Sequence, residues 1–108
     1  MVNKIEILIK NGTTQDKCIA IIPNKNICYV NNKEYYIKSQ YINSILDILV
    51  TWKYEYGNNK NIDSEEFLIK VTGDKKNETV YHGNGNYPNN YFELLEILRE
   101  VVYGRKNK

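Results

Sequence analysis

Residues 17–38, KCIAIIPNKNICYVNNKEYYIK, decide how the rest of the chain is read. Three short runs rich in β-branched and aromatic residues, CIAII, NICYV and KEYYIK, are broken by Pro23-Asn24-Lys25 and by Asn31-Asn32. Asparagine tolerates the positive φ that tight hairpin turns demand, so the segment reads as an antiparallel meander. Centring the first turn on Asn24-Lys25 sets the register: Cys18 faces Asn31, and Cys28 faces Ile21. Side chains alternate across a strand, so Ile19/Val30 and Ile21/Cys28 share one face while Ala20/Tyr29 and Ile22/Ile27 share the other. Both faces of this hairpin therefore carry apolar groups. The two thiols point to opposite sides, which rules out a disulfide between them.

Outward from the meander, the other elements follow from hydropathy period. Val2 to Lys10 alternates, with Ile5, Ile7 and Ile9 on one face and Lys4, Glu6 and Lys10 opposite, and Asn11-Gly12 then signals a turn. Ser39 reads as a helix cap. Behind it Ile42, Ile45, Leu46, Leu49, Trp52 and Tyr56 recur at helical spacing, so a helix is predicted over Ser39–Tyr56, with Gly57 as its left-handed stop. Ile62 to Glu65 is polar. EFLIKV and NETVYH flank the turn TGDKKN as a second alternating pair, and Tyr91 to Tyr103 carries a stripe of Tyr91, Leu94, Leu95, Leu98, Val101 and Val102, closed by Gly104. The predicted order is βββ(β)αββα. Successive hairpins with two one-sided helices imply an α+β two-layer sandwich: an antiparallel sheet of about five to six strands with both helices on one face.

Composition bounds the rest. A chain of 108 residues with 42% hydrophobic and 26% charged residues builds one core, so residues 1–108 are read as a single domain. A net charge of +2 is too small to imply a polyanionic partner by itself. No apolar run reaches membrane-spanning length, and the first ten residues alternate apolar with charged rather than forming a signal peptide, so a cytoplasmic location is expected. Asn, Lys, Ile and Tyr make up about half the chain. All four have A/T-rich codons, which points to a low-GC bacterium or its phages and lowers the functional weight of any one asparagine.

The stretch VYHGNGNYPNN, residues 80–90, invites comparison with phosphate-binding loops that lead into a helix N-terminus. The dinucleotide pattern needs a third glycine where Pro88 stands, and the Gly-Lys-Ser/Thr of a Walker loop is absent. The stretch reads instead as a corner: Gly83 and Gly85 release the strand, Pro88 keeps Tyr87 extended, and Asn90 caps the next helix with Glu93 reaching back. A strand ending in YHGNGNYP and running into NNYFELLEIL resembles the close of small, uncharacterised α+β domains of low-GC Gram-positive bacteria and their phages. The resemblance covers the last third of the chain and implies a fold rather than an activity.

Catalytic and metal signatures are sparse. His82 is the only histidine and has no recognisable Ser or Cys partner in a triad pattern. Asp63, Glu65 and Glu66 lack the spacing of a calcium loop, and two cysteines with one histidine do not make a four-ligand zinc site. No cofactor, no metal and no catalytic residue is expected. Ten tyrosines beside many lysines raise nucleic-acid stacking as an alternative, with Lys33, Tyr35, Tyr36 and Lys38 as its candidate residues. The leading expectation is a non-enzymatic binding protein, of the type of phage or mobile-element inhibitors (anti-CRISPR proteins among them) or immunity proteins. Its partner is another protein or a second copy, met through the surplus apolar face at Ala20, Ile22, Ile27 and Tyr29. A small hydrolase or metal-dependent enzyme ranks third.

Overall fold

The computed structural model describes residues 2–10, 16–58 and 65–103. The meander forms as its turns dictate: β2 (Lys17–Ile22), β3 (Ile27–Val30) and β4 (Lys33–Tyr36) pair in sequence order. Pro23–Lys25 makes one 3-10 turn, and Asn26, Asn31 and Asn32 take φ of 53°, 49° and 71°. Each left-handed position is thus filled by the residue type that tolerates it best after glycine. The register is the one read from the sequence, with Ile19 opposite Val30, Ala20 opposite Tyr29, Ile21 opposite Cys28 and Ile22 opposite Ile27.

β1 (Val2–Lys10) lies between β2 and β6 (Glu66–Gly73), and β6 pairs in turn with β7 (Glu78–Asn84). These pairings are all antiparallel. Among the described strands the one parallel pair is at the edge, where β5 (Glu55–Asn58) joins β7. The result is a mixed, seven-stranded sheet in the order β4-β3-β2-β1-β6-β7-β5, backed by α1 (Ser39–Leu49) and α2 (Tyr91–Tyr103). The architecture is α+β, as its alternating strands and one-sided helices require. Its described strands exceed by one the most that the sequence indicated, because β5 begins inside the span read as helix.

That span needs correction. α1 ends at Leu49, not at Tyr56. Thr51 donates its hydroxyl to the Ile48 carbonyl at 2.7 Å, and its own N–H bonds the same carbonyl at 3.2 Å, closing the helix without a glycine. Trp52 then drops into the core, and the chain runs out as β5. Gly57, taken as the helix stop, lies within that strand. Ser39 is not the cap either: the cap position is Lys38, and the Ser39 hydroxyl accepts a bond from the Asn26 side chain. The Asn11-Gly12 turn and Gly104 lie outside the described residues.

One continuous core fills the space between helices and sheet. Ile5, Ile7 and Ile9 of β1, Ile19 and Ile21 of β2, Cys28 of β3, and Phe67 and Ile69 of β6 meet Ile42, Ile45, Ile48 and Leu49 of α1. Leu94, Leu98 and Val101 of α2 complete it. Both helices thus bury their stripes against the same sheet face. At the β6–β7 end the core turns aromatic: Trp52 meets Phe67 at 5.4 Å and Tyr81 at 6.1 Å between ring centroids, both edge-on. Gly83 lies under Phe67, and a Cβ there would collide with that ring and with the Asn86 carbonyl oxygen.

Candidate functional site

The sheet face turned away from the helices follows from the registers. From β4 inward it carries Tyr36, Ile27 and Ile22 in one row, and Glu34, Tyr29, Ala20, Glu6, Lys70 and Val80 in the next. A third row holds Cys18, Leu8, Leu68, His82 and Glu55. No helix among the described residues covers this face. Its β4–β2 side is apolar, with Ala20, Ile22, Ile27 and Tyr29 half-buried by their neighbours and Tyr36 63% exposed. Leu68 and Val80 extend the apolar surface at 39% and 41% exposure. Across the middle, Lys4 pairs with Glu6 at 3.7 Å and Lys70 with Glu78 at 3.5 Å.

The four interface residues expected from the sequence therefore sit together on the open face, in two adjacent cross-strand pairs. The nucleic-acid candidates do not. Lys33 pairs with Val30 and Tyr35 with Cys28, on the helix side of β4, whereas Tyr36 stands on the open face and Lys38 lies at the start of α1. The Lys33 ammonium sits 5.8 Å from the Tyr35 ring centroid, a local cation–π contact on that helix side.

His82 has partners that sequence reasoning missed. Its Nε2 lies 2.7 Å from Glu66 Oε2 and its Nδ1 3.3 Å from Glu55 Oε2. The bond to Glu66 is the main cause that raises the imidazole above its ordinary value, joined by Glu55 and opposed by partial burial. The Glu66 link was within reach of the sequence. The β6–β7 turn puts Leu68 opposite His82, and the diagonal neighbour of a strand pair is two residues on, at Glu66. Glu55 was not, because it lies on the unread β5. Beside the pair, Leu8, Lys10 and Leu68 complete a shallow cavity of about 190 Å³. Of the acidic cluster, Glu66 is committed to His82 and Glu65 to Tyr91, while Asp63 lies outside the described residues. Among the described residues no group of three His, Cys, Asp or Glu side chains is placed to hold a metal ion. No helix among them is long and apolar enough to cross a membrane.

The glycine–asparagine corner uses its polar groups internally. Gly85 has φ 78° and bonds the Glu65 carbonyl through its N–H. The Tyr87 hydroxyl donates to that same carbonyl at 2.7 Å, and Tyr91 donates to the Glu65 carboxylate. The Asn90 amide is engaged by Trp52 and Thr51 rather than by the first N–H groups of α2, which corrects the capping role expected of it. On the helix side a larger groove of about 710 Å³ runs between α2 and Ile19 and Val30, rimmed by Lys17, Glu96 and Arg99.

The two cysteines sit as the hairpin register requires. Cys18 is exposed on the open face, and Cys28 is buried in the core, where burial pushes its thiol up to about 11. Compared with protein-family models, with curated proteins and with solved structures, the chain matches none.

Proposed function

We propose that the protein is a non-enzymatic binding module whose open sheet face grips a protein partner, another chain or a second copy of itself. The observation that carries this reading is the contiguous apolar surface of Tyr36, Ile27, Ile22, Tyr29 and Ala20, on a face that no helix among the described residues covers. Leaving such surface in water forgoes burial worth about 25 cal/mol per Å².

Two features support binding over catalysis. Both ring nitrogens of His82 are held by carboxylates, so it is not poised beside a nucleophile. The apolar side of the face is bordered by the ion-paired Lys4, Glu6, Lys70 and Glu78, as the apolar centre of a contact surface is bordered by polar groups. Small inhibitors and immunity proteins that act by contact, anti-CRISPR proteins of phages included, are the biological type this reading favours.

Sedimentation and crosslinking of the purified protein, alone and with candidate partners, test it with Ile22→Lys and Tyr29→Glu. Both variants should retain the far-UV spectrum and cooperative melting, because the helix-facing core lies on the other side, and both should lose the complex. Variants that fold and associate as before would remove this reading. Variants that unfold would make the face part of the core.

A further inference from the structure

We propose that the His82 imidazolium is a clamp that ties the edge strand β5 to the sheet and releases it as the ring loses its proton. The motive is the weakness of β5 on its own. It is four residues long, among the described strands it pairs with β7 alone, and its parallel ladder is irregular between Tyr56 and Asn58. His82 stands opposite Glu55 in that ladder, and its N–H bonds the Tyr54 carbonyl at 2.9 Å. The same residue thus holds the strand by backbone and by side chain.

The chemistry of the ring decides when the side-chain hold works. An ionised carboxylate accepts hydrogen bonds and donates none, so a ring that satisfies Glu66 at Nε2 and Glu55 at Nδ1 together must carry a proton on each nitrogen. Only the imidazolium does. A neutral ring keeps one N–H and turns a lone pair toward the other carboxylate. The shorter contact to Glu66 keeps the proton, and the longer one to the 72%-exposed Glu55 is lost.

The charged groups facing the ring come from every neighbouring strand. Glu55 is on β5 and Glu66 on β6, and Lys10 of β1 stands opposite Glu66 and lines the same cavity. Lys70, farther along β6, is taken up by Glu78. On β7 itself, Val80 and Asn84 flank His82 without charge. Glu66 holds the ring in both forms and Glu55 only in the closed one, so the Glu55 contact makes the closed strand hold the proton more tightly than the open one. The sign follows. The clamp is fully engaged below the value of the open state, in which Glu66 still holds the ring, and is lost as pH rises through the higher value of the closed state.

Amide hydrogen exchange of residues 55–58, corrected for the intrinsic rate and followed from pH 6 to 9 beside a proton NMR titration of His82, tests this. In the native protein, protection of the β5 amides should fall several-fold as His82 deprotonates, while β1 and β6 amides keep theirs. The fall should match ten raised to the difference between the titration values of the closed and open states, since one proton links both measurements. His82→Gln should remove the pH dependence. Glu55→Gln, which keeps the shape but not the charge, should lower the His82 titration and flatten the β5 profile. Protection that stays level with pH in the native protein, or that falls equally in either variant, would overturn the clamp.

Discussion

The indole N–H of Trp52 donates to the side-chain oxygen of Asn90 at 2.5 Å, joining the end of α1 to the start of α2. The other side of the same amide donates to the Thr51 hydroxyl at 3.2 Å, and that hydroxyl in turn closes α1 on the Ile48 carbonyl. Three polar groups thus settle each other's needs where two helices and an aromatic cluster meet.

Asn90→Ala leaves the buried indole N–H without its acceptor. The expected loss is about 1–3 kcal/mol in urea unfolding followed by tryptophan fluorescence. In a Trp52→Phe background the same substitution should cost markedly less, since the donor is already gone. Equal costs in both backgrounds would mean that the Asn90 side chain contributes independently of the indole, through its bond to Thr51.

Leu49→Ala and Leu98→Ala empty the interior between the helices and the sheet, where both side chains are almost wholly buried. Each should cost about 2–5 kcal/mol in denaturant unfolding. Leu68→Ala, on the open face at 39% exposure, should cost far less, and a comparable loss there would contradict the division of the sheet into a covered and an open side.

Gly83→Ala drives a methyl group into the Phe67 ring. Overpacking of this kind costs about 1–3 kcal/mol, read as a lower melting temperature. Combining it with Phe67→Leu, which removes the ring, should be less damaging than the two separate losses added. Gly85→Ala meets a different penalty, the left-handed backbone at φ 78°, of about 1 kcal/mol, and Phe67→Leu should not relieve it.

The thiols should divide by face. A thiol reagent at pH 8 should label Cys18 in the native protein, and Cys28 should stay unmodified because it is buried and its thiol is raised to about 11. Unfolding should expose the second. Mass spectrometry that found two labels on the native chain, or none after unfolding without reductant, would contradict the register of the β2–β3 hairpin.

The parts of this fold that were legible in the sequence are those where local chemistry leaves one solution. Asn24 to Asn26 and Asn31-Asn32 are turn residues at turn positions, so the hairpin pairs Ala20–Tyr29 and Ile22–Ile27 could be counted off, and with them the open face. β5 was not legible for a definite reason. Trp52 and Tyr56 are four apart, a separation that returns to the same side in a helix and also in a strand, so period alone does not separate the two. Thr51, not a glycine, makes the break. The loss carried forward: without β5 there is no Glu55 beside His82, and the histidine looks isolated.

β1 precedes the other described strands and is the middle of the sheet. One of its edges is satisfied by β2 within a short stretch of chain, but the other waits for β6, with Ile5 meeting Val71 and Ile7 meeting Ile69. During synthesis the meander and α1 are therefore complete while a nine-residue, isoleucine-rich edge still lacks its neighbour. Closure across so long a stretch of sequence is slow, and an unpaired apolar edge is a template for pairing with other chains. The vulnerable moment in this protein's life precedes its native state, and substitutions in β6 that delay docking on β1 would lower its yield before they measurably lowered its stability.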